Sequence, residues 1–324
     1  MNNEMKICFY NPCNIGDTYC MSSIVAVICK HNPEVNFQYS ITCGDTFFSH
    51  IPNISNINSN SKCNNNFING MPPENFLEKD NIRDYLKNSI FPGRPLNMHS
   101  IANYNNQKYL FINTWCYAVG HLDYDIPQLL IKWKERIIEI NDKYSLKLNY
   151  EIDKDTFLHP IKFSVPEKLL TIKNENENKK ITFLYNYKSR SVPFNENYVR
   201  LMLLRMLNNI DNKIIIIPLY DSKFPVHKNI LYLDRDFDIQ PDPKCDNLLK
   251  TWEIAKKCDN IIITTCGSCW LFFDKDIETI PNILYLHSND NHTKTYEKRL
   301  NDSINSFTKI SKRKIKSIHT NILL

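Results

Sequence analysis

The chain has 324 residues, of which 42% are hydrophobic and 23% charged, and a formal net charge of +5. That balance excludes a disordered chain, and the length fits two ordinary domains with a sizeable core. The modest positive charge favours anionic ligands without calling for nucleic acid.

In chain order, residues 1–6 show no signal peptide, and no later run approaches the roughly 18 apolar residues of a membrane span. Residues 5–10 read as a buried strand, 11–16 as a turn, and a helix is expected from Asp17 or Thr18, with Met21, Ile24, Val25 and Ile28 on one face. Pro33 closes it, and 35–42 is a second strand. This strand, glycine turn, helix, strand unit predicts a parallel sheet. Residues 53–66 are an Asn/Ser tract read as a mobile loop, 79–90 a short helix, 108–113 a strand and 126–144 an amphipathic helix. The polar stretch 166–180 reads as a linker between a domain of 1–165 and a domain of 181–324.

After it the pattern restarts. Strands are expected at 181–187, 213–219, 229–233, 260–265 and 283–287, and helices at 195–208 and 248–258, with a terminal helix at 293–307. Two such sets predict an α/β protein of two Rossmann-like domains facing a cleft.

Glycine is scarce, 6 residues where an average chain of this length has about 20. Gly16 and Gly267 fall at comparable places in the two halves. Asn14-Ile15-Gly16-Asp17 occupies the first strand-to-helix turn, where open parallel sheets bind ligands. Asp17 there suits a general base toward an acceptor hydroxyl, and it equally suits a helix N-cap. Lys188, Ser189 and Arg190 follow the first strand of the second half and suit a pyrophosphate, or a solvated loop. Thr265, Cys266, Gly267 and Ser268 lie between a buried strand and a helix, where free N–H groups and hydroxyls hold a phosphate or merely cap the helix.

Ile15-Gly16-Asp17 with the helix after it and Pro33 resembles the opening of the heptosyltransferase-like glycosyltransferases, family 9. The second half is similar in layout, including a helix ending in Ala255-Lys256-Lys257-Cys258-Asp259 before a buried strand and a glycine turn. The resemblance implies a GT-B fold, Asp17 as catalytic base, and a donor-phosphate lysine that maps to Lys188 or Arg190. The family's Asp-Thr-Gly and later His are replaced here by Thr265-Cys266-Gly267 and Trp270.

Cys266-Gly267-Ser268-Cys269-Trp270 matches the local signature of papain-like proteases, but it sits at the wrong end of the chain for that nucleophile. The 11 cysteines, an odd number without a framework, read as reduced thiols and a cytoplasmic protein. Sequons at Asn53, Asn291 and Asn301 read as chance. Asp234-Arg235-Asp236 mimics the metal-holding Asp-x-Asp of GT-A enzymes, though a solvated loop is commoner there. His121 and Asp123 follow a strand of the first half and are acceptor-side candidates beside Asn14 and Gly16.

The expected activity is transfer of a sugar from a nucleotide-diphosphate donor to a glycan or other hydroxyl acceptor, with no metal and no cofactor. The alternative is a non-catalytic nucleotide- or sugar-binding protein on the same fold. The basic tail of Lys309, Lys312, Arg313, Lys314 and Lys316 suits contact with an anionic acceptor or a membrane surface.

Overall fold

In the computed structural model the apolar runs of the sequence become the inner strands of two sheets. The described residues are 5–11, 15–41, 44–57, 99–104, 107–115, 126–152, 163–186, 196–240, 246–264, 282–287 and 318–322. The chain divides into two units, residues 1–159 with 305–311, and residues 160–304 with 312–324.

The first unit contains β1 (Lys6–Asn11), α1 (Ile15–His31), β2 (Phe37–Ile41), β3 (Ile54–Asn56), β4 (His99–Tyr104), β5 (Gln107–Asn113) and α2 (Ile126–Tyr144). The strand order is β3-β2-β1-β5-β4. Every pairing is parallel except that of β4, which runs antiparallel to β5 along the edge. Inner parallel strands are covered on both faces, so β1 buries every residue after Lys6. The helical stripe Met21, Ile24, Val25 and Ile28 of α1 is buried, as are Leu130, Trp133, Ile137 and Ile140 of α2.

Two features of this unit depart from the sequence expectation. Helix α1 begins at Ile15, so Gly16 lies in its first turn and not in the preceding loop. The start of the Asn/Ser tract is not a loop, because β3 pairs in parallel with β2. Asn53 anchors it: its Nδ2 donates to the carbonyls of Cys29, Asn32 and Val35 at 3.2, 2.9 and 2.9 Å. An asparagine so engaged is structural, in keeping with reading its sequon as chance.

The second unit contains α3 (Glu167–Glu175), β6 (Lys180–Tyr185), α4 (Glu196–Leu207), β7 (Lys213–Ile217), β8 (Ile230–Tyr232), the one-turn α5 (Leu233–Asp236), α6 (Asp246–Ala255), β9 (Asn260–Thr264), β10 (Asn282–His287) and β11 (Ile318–Ile322). All its pairings are parallel, in the order β11-β10-β9-β6-β7-β8. Read from the β8 edge, and counting strands within the unit, this is the 3-2-1-4-5-6 order of doubly wound nucleotide-binding sheets. The fold class is therefore α/β with two Rossmann-like sheets.

The core of the second unit joins Leu184, Ile215, Ile217, Ile230, Tyr232 and Ile262 of the sheet to Val199 and Leu203 of α4. Burying each such side chain is worth about 1.5–3 kcal/mol. Leu201 and Leu204, which the sequence marks as apolar, are exposed, because the sheet-facing stripe is one residue out of phase with them.

The stretch expected as a linker contains α3 and a turn. Leu169 is buried, Lys168 Nζ donates to the Asp236 carbonyl at 2.6 Å, and Lys173 Nζ to the Lys257 carbonyl at 3.0 Å. The expected helices at 79–90 and 293–307 lie outside the described residues, as does the basic tail. The sequence reading also lacked β4 and β11.

Candidate functional site

In a doubly wound sheet the strand order reverses at one place, and the helices diverge there to leave a crevice beyond the carboxyl ends of the strands. In the first unit that place is between β1 and β5. Asn11 ends β1 and Asn113 ends β5 there, and both are buried. Thr114 ties the two strand ends together, its N–H and Oγ1 both donating to the Tyr10 carbonyl at 2.9 and 2.8 Å. Asn113 Oδ1 accepts the Trp115 N–H at 3.0 Å. Burial, opposed by a hydrogen bond from the Asn113 side chain, holds the Tyr10 phenol above its ordinary range.

Asp17 is the third residue of α1, half-buried, beside buried Gly16 and Thr18. It is therefore not the N-cap, which precedes Ile15. It is the acidic residue of the first turn, the end of a helix at which a negative charge is stabilising. Burial first, and the charge of Asp17 second, push the Cys20 thiol one turn later well up. Asn14, His121 and Asp123 lie outside the described residues.

In the second unit the reversal lies between β6 and β9, which pair with Tyr185 beside Ile263. The segment with Lys188, Ser189 and Arg190 leaves the end of β6, and the segment with Thr265, Cys266, Gly267 and Ser268 leaves the end of β9. All seven residues lie outside the described ones, yet the strands that carry them are neighbours. Asn186, immediately before the first segment, is buried and clamps the backbone of Leu219. Its Nδ2 donates to that carbonyl at 3.0 Å, and its Oδ1 accepts that N–H at 3.2 Å.

The Asp-Arg-Asp segment forms α5 and turns its carboxylates to the backbone. Asp234 accepts the Tyr220 N–H at 2.9 and 3.1 Å, and Asp236 accepts the Tyr232 N–H at 2.7 Å. Arg235 lies 5.1 Å from the ring centre of Tyr220 and 4.8 Å from that of Tyr232, and pairs with Asp236 at 3.2 Å. Both acids are thus turn-forming groups.

Sequence reasoning missed Asn11, Asn113 and Asn186. The signal was a polar amide ending each buried apolar run, in a chain whose abundance of asparagine hides it.

Among the described residues, no helix is long and apolar enough to cross a membrane. No protein-family profile matches the sequence, and no curated protein matches it. Among solved structures, the chain is similar to a protein assigned as a UDP-N-acetylglucosamine 2-epimerase from Listeria monocytogenes, at 8% identity and a TM-score of 0.43, over 95% of this chain and 88% of that one. It is also similar to the ADP-heptose LPS heptosyltransferase II of E. coli, at 10% identity and a TM-score of 0.38, over 93% of this chain and 99% of that one.

Proposed function

We propose that the chain is a glycosyltransferase of the GT-B kind, taking a sugar from a nucleotide-diphosphate donor to a hydroxyl acceptor. One observation carries the reading. In both units, the residues marked by sequence follow the carboxyl ends of the strands at which strand order reverses, which is where α/β sheets bind their ligands. On this reading Asp17 takes the acceptor proton as the bond from sugar to phosphate breaks. Lys188 or Arg190, with the N–H groups near Gly267, stabilises the departing diphosphate. A metal is not needed for that charge balance, and the engagement of Asp234 and Asp236 with backbone N–H groups supports the same view.

The test is calorimetric titration of the whole chain with nucleoside diphosphates, followed by donor turnover with a panel of nucleotide sugars. Replacing Lys188 and Arg190 together by Ala should weaken diphosphate binding by about 1.5–3 kcal/mol, the scale of a charge-assisted bond. Unchanged affinity would remove that loop from the donor site. Binding without turnover of any donor would favour a non-catalytic nucleotide-binding protein.

A further inference from the structure

Parallel crossovers are right-handed, and the connections from β6 to β7 and from β7 to β8 step the same way across the second sheet. Both therefore cover one face of it. The first connection holds α4, and the second is the loop 218–229. The two pack together. Phe224 of the loop shares a buried cluster with Val199 and Leu203 of α4. Asn229 Nδ2 donates to the carbonyl of Ile210, just past the end of α4, at 2.8 Å.

The outer side of this layer is apolar at its centre and cationic at its margins. With Val199 and Leu203 turned to the sheet, helical spacing carries Leu201 and Leu204 outward, and they are 49% and 42% exposed. Arg200 and Arg205 flank them, both exposed. In the loop, Val226 is 80% exposed, and exposed Lys228 follows it. Val226 is held out by a built turn, between buried Phe224 and buried Asn229. The Phe224 N–H donates to the Asp221 carbonyl at 2.9 Å, and the Asn229 N–H to His227 Nδ1 at 3.1 Å. Among the described residues Arg200, Arg205 and Lys228 form no ion pair. Between Val199 and Lys228 the acids are Asp211, past the end of α4, and Asp221, whose Oδ1 accepts the Lys223 N–H at 2.9 Å.

Exposed apolar side chains among unpaired cations match a partner that is apolar in depth and anionic at its surface. A second copy of the chain brings the same cations to a two-fold contact and is repelled. A nucleic acid takes the cations but leaves the leucines and the valine in water. An anionic bilayer satisfies both: the apolar side chains enter the acyl boundary, and the arginines reach the phosphates on their flexible stems. We propose that the face built by α4 and the loop 218–229 docks on an anionic lipid surface. The proposal rests on this face alone and stands whether or not the chain transfers sugar.

Sedimentation of the full chain with vesicles of phosphatidylcholine, alone or in equal parts with phosphatidylglycerol, tests it. The chain should bind the mixed vesicles and not the neutral ones. A cation near an anionic surface strengthens partitioning about fivefold, so Arg200→Ala with Arg205→Ala should weaken binding about 25-fold. Leu201→Gln with Leu204→Gln should weaken it at least about tenfold, through the apolar area no longer placed in lipid. Both pairs are exposed, so the melting temperature should hold. Lys134→Ala with Lys147→Ala, which removes equal charge from exposed positions of the first unit, should bind as the wild type does. Failure to bind the mixed vesicles would overturn the proposal. So would an equal loss in the Lys134, Lys147 variant, or wild-type binding by either the arginine or the leucine variant. A dimer in solution that the leucine variant dissolves would also overturn it, by making the face a contact between copies.

Discussion

Asn186 grips the backbone of Leu219 through both ends of its amide, fastening the end of β6 to the chain that continues from β7. Asn186→Asp keeps the shape but replaces the donor facing the Leu219 carbonyl with a second oxygen in a buried place. The expected loss is about 1–3 kcal/mol, the cost of an unsatisfied buried carbonyl, read as a lower urea midpoint with the same m-value. Since the Lys188 segment begins two residues on, nucleoside diphosphate affinity should fall with it. A variant with wild-type stability and affinity would show the clamp to be without consequence.

Asp17→Asn separates catalysis from folding. The carboxylate lies within the first turn of α1, so its charge is worth about 0.3–1 kcal/mol to the helix. Loss of a positioned base lowers turnover by about 10²–10⁴-fold. The variant should fold, bind donor, and fail to transfer. Transfer at the wild-type rate would end the assignment of Asp17 as base.

Donor turnover should persist in EDTA. Asn at 234 and 236 retains one acceptor oxygen for the N–H groups of Tyr220 and Tyr232. The double variant Asp234→Asn, Asp236→Asn should therefore keep most of its activity. Activity lost in EDTA and restored by Mg²⁺ or Mn²⁺ would reinstate this pair as a metal site.

Alkaline stability has a defined sign. Burial pushes the Cys29 thiol up to about 12 from an ordinary value near 9, and raises Cys8, Cys258, Tyr10 and Tyr150 as well. Above pH 9 the unfolded chain sheds thiol protons that the folded chain keeps. Stability is then whole below about pH 9 and falls as pH rises toward 12, by about 1.4 kcal/mol per unit for each such group. Urea titrations from pH 7 to 11 should show a plateau and then a decline. Cys29→Ala should lower the plateau and make the decline shallower. An equal slope in that variant would remove Cys29 as a source of the effect.

The inner strands were legible because each pairs on both sides and is covered on both faces, which demands a continuous apolar run such as Ile214–Ile217. Helix α2 was legible over 126–144 because its buried residues repeat at helical spacing. Peripheral pieces were not. Strand β3 sits in a polar tract, and β4 and β11 flank one neighbour each, so their pairing leaves little trace in local composition.

The sequence by itself determined the alternation of strand and helix, the restart of that pattern in the second half, and the polar residues that follow its strands. Only the tertiary structure decided that β1 lies beside β5 and β6 beside β9, so that these residues leave neighbouring strands. It also decided that Asp234 and Asp236 serve the backbone, and that Asn32, Asn53, Asn141 and Asn186 are clamps. The reason is physical. Burial leaves a periodic imprint on the chain, whereas a side-chain amide bonds a partner as far as 117 positions away, and nothing in its neighbouring residues records which carbonyl that will be.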